Sequence, residues 1–101
     1  MSEVRYFEGR PVFFTQTYPD RAGRDKGELV TRFYYFSRHR NTRCLGKALW
    51  MANDTVRAYR IRDGRSTYSN PEYEDLGIMT YNRAVQVFET MVEEIIHEEG
   101  A

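Results

Sequence analysis

The clearest pattern of apolar and polar positions lies near the end of the chain and predicts a helix over residues 81–98. At about 100° per residue, one face of this helix carries a continuous apolar stripe. The stripe consists of Tyr81, Ala84, Val85, Phe88, Met91, Val92, Ile95 and Ile96. Thr80 suits the N-cap position, and Gly100 suits the end of the helix. A stripe this wide requires a broad apolar surface beneath it, which one face of an antiparallel sheet provides.

Two segments before the helix carry the pattern of β-strands. Residues 12–18 are β-branched and aromatic. Residues 29–38 alternate between two faces, and one of these faces carries Val30, Arg32, Tyr34, Phe36 and Arg38. The connecting residues 19–27 are polar and contain two glycines. This composition predicts a hairpin with a mobile loop that is longer than a tight turn.

The next segment, residues 41–52, fits two structures. Its apolar residues recur at i, i+3, i+4 and i+7, which is typical of a short helix. Asn53 and Asp54 instead suit a two-residue turn between antiparallel strands. We favour the strand, because residues 55–62 alternate as its partner would. Residues 65–77 are polar and acidic, which predicts a loop with room for a short edge strand at its start.

These elements predict one α+β domain over residues 1–101. We expect an antiparallel sheet of three to five strands with one long C-terminal amphipathic helix packed across it. A chain of 101 residues is long enough for one hydrophobic core and too short for separate cofactor and substrate domains.

The net charge of zero conceals an uneven distribution along the chain. Residues 21–65 contain twelve basic and four acidic residues, whereas residues 66–101 contain one arginine and eight acidic residues. Such asymmetry indicates an anionic partner. The alternative is that the two segments neutralise each other within the fold or across a homodimer.

Arginine and tyrosine alternate along the basic segment, and thirteen of the fifteen basic residues are arginine. Guanidinium groups bind phosphates in a bidentate manner and stack on rings, and exposed tyrosines stack on unpaired bases. The sequence therefore predicts a non-enzymatic binding module that engages nucleic acid or a nucleoprotein complex. The candidate residues are Arg32, Tyr34, Arg38, Arg40, Arg43, Arg57, Tyr59, Arg60 and Arg62.

The same residue types dominate protein-interface hot spots. The alternative function is therefore a small protein-binding regulator or inhibitor, of the kind that phages and mobile elements encode, acting by protein–protein contact. Salt dependence of binding separates the two, because phosphate contacts release counterions.

The end of the predicted helix carries an acidic tip, which we define as Glu93, Glu94 and Glu98. Acidic residues are unfavourable at a helix C-terminus, where the helix dipole is negative. We therefore expect these carboxylates to meet arginines of the basic segment, within the chain or across a homodimer, or to meet a basic partner.

Little in the sequence indicates catalysis. Cys44, His39 and His97 lack the spacing of a zinc site, so we expect no metal and no cofactor. Two enzymatic alternatives stay open: a Cys44 nucleophile with His39 as its base, and a ribonuclease-like use of arginine and tyrosine.

The lone cysteine is consistent with a reducing compartment. The chain has neither a long apolar run nor an apolar signal segment at its start. We therefore expect a cytoplasmic protein without a membrane partner.

Overall fold

The computed structural model describes residues 4–7, 10–20, 28–37, 42–62 and 71–98, with the backbone alone for 4–7, 10 and 11. Six strands form one antiparallel sheet in chain order, and a helix follows the last strand. The elements are β1 Val4–Phe7, β2 Arg10–Pro19, β3 Leu29–Phe36, β4 Thr42–Trp50, β5 Thr55–Ile61, β6 Tyr73–Thr80 and α1 Tyr81–Glu98.

The predicted fold class is confirmed. Strands β2 to β6 with α1 across them form the expected α+β architecture, and the four-residue β1 extends the sheet at one edge. The bounds of α1 are those that the apolar stripe predicts. Thr80 caps the helix, because its Oγ1 accepts a hydrogen bond from the backbone N–H of Arg83 at 3.2 Å. The loop residues 21–27 and Gly100 lie outside the described residues.

The ambiguous segment is a strand, β4, as we favoured. Asn53 and Asp54 form the turn between β4 and β5, with φ values of 62° and 59°. Asparagine and aspartate tolerate this left-handed backbone better than most residues. The turn is closed by a hydrogen bond from the Thr55 N–H to the Ala52 carbonyl at 3.4 Å, and the Thr55 hydroxyl donates to the same carbonyl at 2.7 Å.

The predicted loop over residues 65–77 is wrong for its last part, because β6 begins at Tyr73. The acidic residues and Gly77 resemble a turn in sequence, yet they pair with β5. Gly77 has a φ of 93°, and its N–H donates to Asp75 Oδ1 at 2.7 Å. The pairing register shifts at this position. A β-bulge therefore interrupts the alternation that would have marked the strand.

The core lies between one face of the sheet and α1. Phe88 from the helix is fully buried and stacks on Phe33 of β3, with 4.2 Å between ring centroids. Phe13 of β2 also stacks on Phe33, with 6.1 Å between the ring centroids. Near the start of α1, Tyr81 stacks on Trp50 at 4.8 Å. Stacked aromatic rings thus contribute to the packing of the helix on the sheet at two places, around Phe88 and at Tyr81.

Gly46 of β4 makes the close approach of Phe88 possible. A Cβ at this position would lie 2.8 Å from Cε1 and Cζ of Phe88 and would overlap the backbone carbonyl oxygen of Tyr59. Since the β4–β5 pairing fixes that carbonyl, a side chain at position 46 has no direction in which to move.

α1 is also the element to consider for a membrane span. Within the described part of the chain, no helix combines the length and apolarity that crossing a bilayer requires.

We predict that Gly46→Ala destabilises the protein by about 3 kcal/mol or more, at the upper end of the usual overpacking cost. The matched control is Gly77→Ala, because a Cβ there has no neighbour within 4 Å and meets only the strain of a positive φ. That strain costs about 1–2 kcal/mol. Urea unfolding followed by circular dichroism measures both, and a smaller cost at position 46 than at position 77 would contradict the packing of Phe88 against Gly46.

Candidate binding surface on the open face of the sheet

The face of the sheet opposite α1, which we call the open face, carries most of the described candidate residues. Strand register places Arg32 of β3 directly opposite Lys47 of β4, and Lys47 opposite Tyr59 of β5. One row across five strands therefore contains Gln16, Arg32, Lys47, Tyr59 and Asp75. The alternate residues of these strands, such as Phe33 and Ala58, belong to the core beneath α1.

Arg32 is held by two tyrosine hydroxyls. Its Nε donates to the Tyr18 hydroxyl oxygen at 2.5 Å, and its Nη1 donates to that of Tyr73 at 3.3 Å. Burial opposes the charge on Arg32, but the hydrogen bonds to Tyr73 and Tyr18 favour it, and the pKa of the guanidinium is raised above its ordinary value. Arg32 is therefore cationic under all conditions in which the protein is folded.

Lys47 lies beside Arg32 and is 6% exposed. Its Nζ is 4.4 Å from the ring centroid of Tyr73 and 5.7 Å from that of Tyr59, within the range of cation–π attraction. Tyr59 and Tyr73 also meet edge to face at 6.3 Å. These contacts define a tyrosine–cation cluster that consists of Tyr18, Arg32, Lys47, Tyr59 and Tyr73.

Sequence reasoning missed three members of this cluster. Lys47 lay in the segment that fitted either a helix or a strand, and Tyr73 lay in the predicted loop. The sequence analysis therefore did not assign either side chain to a face of the sheet. Tyr18 ends the predicted strand over residues 12–18, and alternation along that strand places it on the same face as Phe14. The signal for all three was the register between strands, which a single sequence does not contain.

The arginines of β5 are paired with acidic residues of β6. Arg57 Nη1 is 3.1 Å from Asp75 Oδ2, and Arg60 Nε is 2.8 Å from Glu74 Oε2. Arg62 Nη1, just after the strand, is 3.5 Å from Glu72 Oε1. The acidic and basic segments thus neutralise each other here, between neighbouring strands. Arg60 also lies opposite Gly46, on the α1 side of the sheet rather than on the open face.

The remaining candidates are more dispersed. Tyr34 lies on the open face, half-buried, and stacks on Phe14 at 4.9 Å. Arg43 is exposed on β4 opposite Tyr35, a residue of the core. Arg38 and Arg40 lie outside the described residues. Arg32, Tyr34, Arg57 and Tyr59 are therefore the predicted residues that the fold brings to one face.

The acidic tip is exposed at the end of α1. With respect to the residues whose side chains the structure describes, Glu93, Glu94 and Glu98 make no ion pair. The carboxylates that meet the basic segment come from β6 instead. An intermolecular partner for the acidic tip, including a second copy of the chain, stays a prediction.

Cys44 lies on the open face opposite Tyr34, with its Sγ 3.6 Å from the Gly46 carbonyl oxygen. Burial raises the pKa of its thiol above the ordinary value, against the opposing effect of nearby Arg32 and Lys47. His39, the suggested base, lies outside the described residues, among which no three metal-ligating side chains converge. The described surroundings of Cys44 therefore favour a protonated thiol at neutral pH.

Comparisons with family models, curated proteins and solved structures give no match to this chain.

We predict that Cys44 in the folded protein is alkylated by iodoacetamide with a pH midpoint above about 8.5, the value of an unperturbed thiol. The physical reason is that burial disfavours the thiolate, which is the reacting species. Mass spectrometry of the folded chain and of the same chain in urea, between pH 7 and pH 10, measures the shift. A midpoint lower in the folded protein would contradict it and would support the cysteine-enzyme alternative.

The Arg60–Glu74 pair predicts a pH dependence of stability. The hydrogen bond from Arg60 lowers the pKa of Glu74, so the pair stabilises the fold above the unfolded pKa of about 4.3 and loses this effect as the pH falls through the folded value. Urea unfolding at low salt should therefore show Glu74→Gln to be less stable than wild type at pH 7, with a difference that vanishes once the pH has fallen below the folded pKa of Glu74. Glu94→Gln is the control, and a Glu74→Gln deficit that persists unchanged at low pH would contradict the ion pair.

Proposed function

We propose that this chain is a non-enzymatic binding module whose open face engages single-stranded nucleic acid, free or within a nucleoprotein complex. The observation that carries the proposal is the placement of two cations, Arg32 and Lys47, among tyrosine rings on the face that α1 leaves uncovered. Single strands are bound by this combination, since cations attract the phosphates and rings stack on the bases.

The ion pairs between β5 and β6 change which cations of the open face are expected to bind phosphate. Because Asp75 neutralises Arg57, and Glu74 and Glu72 neutralise Arg60 and Arg62, these arginines attract phosphate less than their number suggests. The dominant electrostatic contacts on the open face are then Arg32 and Lys47. About two phosphate contacts correspond to a log–log salt slope of roughly −1.4 for a single strand.

Tyr34 and Tyr59 are the candidates for stacking. Both lie on the open face and are partly exposed, Tyr34 beside Phe14 and Tyr59 beside Lys47. A ring that is already braced by a neighbour loses little conformational entropy when a base stacks on it. The two rings lie on β3 and β5, so a strand that contacts both would cross β4 and pass over Lys47.

A second candidate function, binding to a protein, is favoured by exposed apolar side chains. Ile78 is 53% exposed and lies opposite Arg57 on the open face, and Met51 is 48% exposed beside the β4–β5 turn. Apolar side chains next to arginine and tyrosine are typical of protein interfaces. This alternative corresponds to a regulator or inhibitor that acts by protein–protein contact.

We predict that a fluorescently labelled mixed-sequence single strand, as RNA or DNA, binds the full chain with an affinity that falls as salt rises, with a slope of roughly −1.4. Tyr59→Leu should weaken binding at least about fivefold, since stacking on a ring contributes about 1–3 kcal/mol per base. Fluorescence anisotropy measures both, and Arg83→Gln on α1 is the control that should bind as wild type does.

No binding at low salt, or an affinity independent of salt, would contradict the nucleic-acid function. Co-purification from lysate with and without nuclease then tests the second candidate. A stoichiometric protein that survives nuclease treatment and is lost with Ile78→Asp would support the protein-binding function.

A further inference from the structure

We propose that the tyrosine–cation cluster is a site for one tetrahedral oxyanion, namely a phosphate group, bound between Arg32 and the hydroxyls of Tyr18 and Tyr73 beside Lys47. The inference deepens the proposed function and rests on it only for the source of the phosphate, which would be the backbone of the single strand. A free phosphate-bearing ligand presents the same chemistry.

The charge arrangement favours an anion at this position. Arg32 and Lys47 are directly opposed on neighbouring strands, and like charges in such a pair destabilise a sheet. The hydrogen-bond acceptors described for Arg32 are the hydroxyls of Tyr18 and Tyr73, with the Cys44 thiol as a further neighbour. Among the side chains that the structure describes, no carboxylate lies within ion-pairing distance of Arg32. An arriving anion would supply the opposite charge.

Asp75 is the acidic residue of the same row, and its two oxygens are already engaged. Its Oδ2 faces Arg57 at 3.1 Å, and its Oδ1 accepts from the Gly77 N–H at 2.7 Å. The bulge at Gly77 thus holds this carboxylate against Arg57, on the edge strand β6. Asp75 is therefore not an ion-pair partner of Arg32.

The hydrogen-bond donors converge in a way that suits a phosphate. Arg32 has five N–H donors, of which one on Nε and one on Nη1 serve the tyrosines. Because each tyrosine oxygen accepts from Arg32, its own O–H can donate elsewhere. The guanidinium and two hydroxyls therefore present several donors on one side, which is the requirement of an oxygen-rich anion.

The site is also held in place before any ligand arrives. Tyr18 comes from β2, Arg32 from β3, Lys47 from β4 and Tyr73 from β6, so four strands brace the cluster. Lys47 is buried against the Tyr73 ring and adds a second positive charge to the site. Fixing the donors in advance reduces the entropy that binding would otherwise cost. Tyr59, at the rim, is placed to stack on a base attached to the phosphate.

The test is a titration of the ¹⁵N-labelled full chain with inorganic phosphate at constant ionic strength, followed by NMR. We expect saturable shifts at the amides around Arg32, Lys47 and Tyr73. Arg32→Gln should weaken this binding roughly tenfold or more, in line with the loss of a charged hydrogen-bond donor. Tyr73→Phe keeps the ring against Lys47 and removes only the hydroxyl, and it should weaken binding several-fold even if Arg32→Gln fails to fold. Arg83→Gln should bind as wild type.

Shifts that are spread over all exposed arginines, or that persist unchanged in Arg32→Gln and Tyr73→Phe, would mean an adventitious ion only and would overturn the site. A parallel anisotropy titration with the single strand separates the two proposals. Phosphate binding without strand binding would leave the site standing with a free phosphate-bearing ligand and would contradict the proposed function. Strand binding that is unchanged in both variants would support the function and overturn the site.

Discussion

The contact of Phe88 with Gly46 and Phe33 is the constraint on which the rest of the structure depends. This contact positions α1 on one face of the sheet, where the ring centroids of Phe88 and Phe33 are 4.2 Å apart. A side chain at position 46 would have no room beside Phe88. Since strands alternate their side chains, covering one face divides the residues of β2 to β6 between the α1 side and the open face. Because α1 packs on the other face of the sheet, Arg32 and Lys47 lie outside the core.

Two of the three register shifts in the described sheet, those in β4 and β6, each direct an extra residue toward the core. In β4 the register moves from Gly46 opposite Phe33 to Cys44 opposite Tyr34, which leaves Leu45 as the extra residue. Leu45 is buried in the core. In β6 the extra residue is Leu76, which packs against the same core. Each bulge therefore places one leucine in or against the core beneath α1, as a local one-residue insertion permits.

The described ion pairs on the sheet join residues in or next to two neighbouring strands, β5 and β6. Among the described side chains, the acidic residues that meet the basic segment lie in or just before β6, because its pairing with β5 brings Glu72, Glu74 and Asp75 against three arginines. These pairs are exposed and contribute little stability individually. Their larger effect is that the arginines in and next to β5 contribute less positive charge to the surface. With the β5 arginines neutralised, the tyrosine–cation cluster becomes the centre of the open face.

The sequence by itself determined the elements with a strong period: the bounds and buried stripe of α1, the strands around residues 12–18, 29–38 and 55–62, and hence the α+β class. These features follow from propensity and periodicity, which are local. It also indicated nine binding residues as one group, of which Arg32, Tyr34, Arg57 and Tyr59 lie together on the open face. The strand β6, the position of Arg60 on the α1 side and the contribution of Tyr18, Lys47 and Tyr73 to the cluster emerge from the tertiary structure alone. Those outcomes depend on register and bulges between strands, and a one-residue shift in pairing reverses which face a side chain occupies.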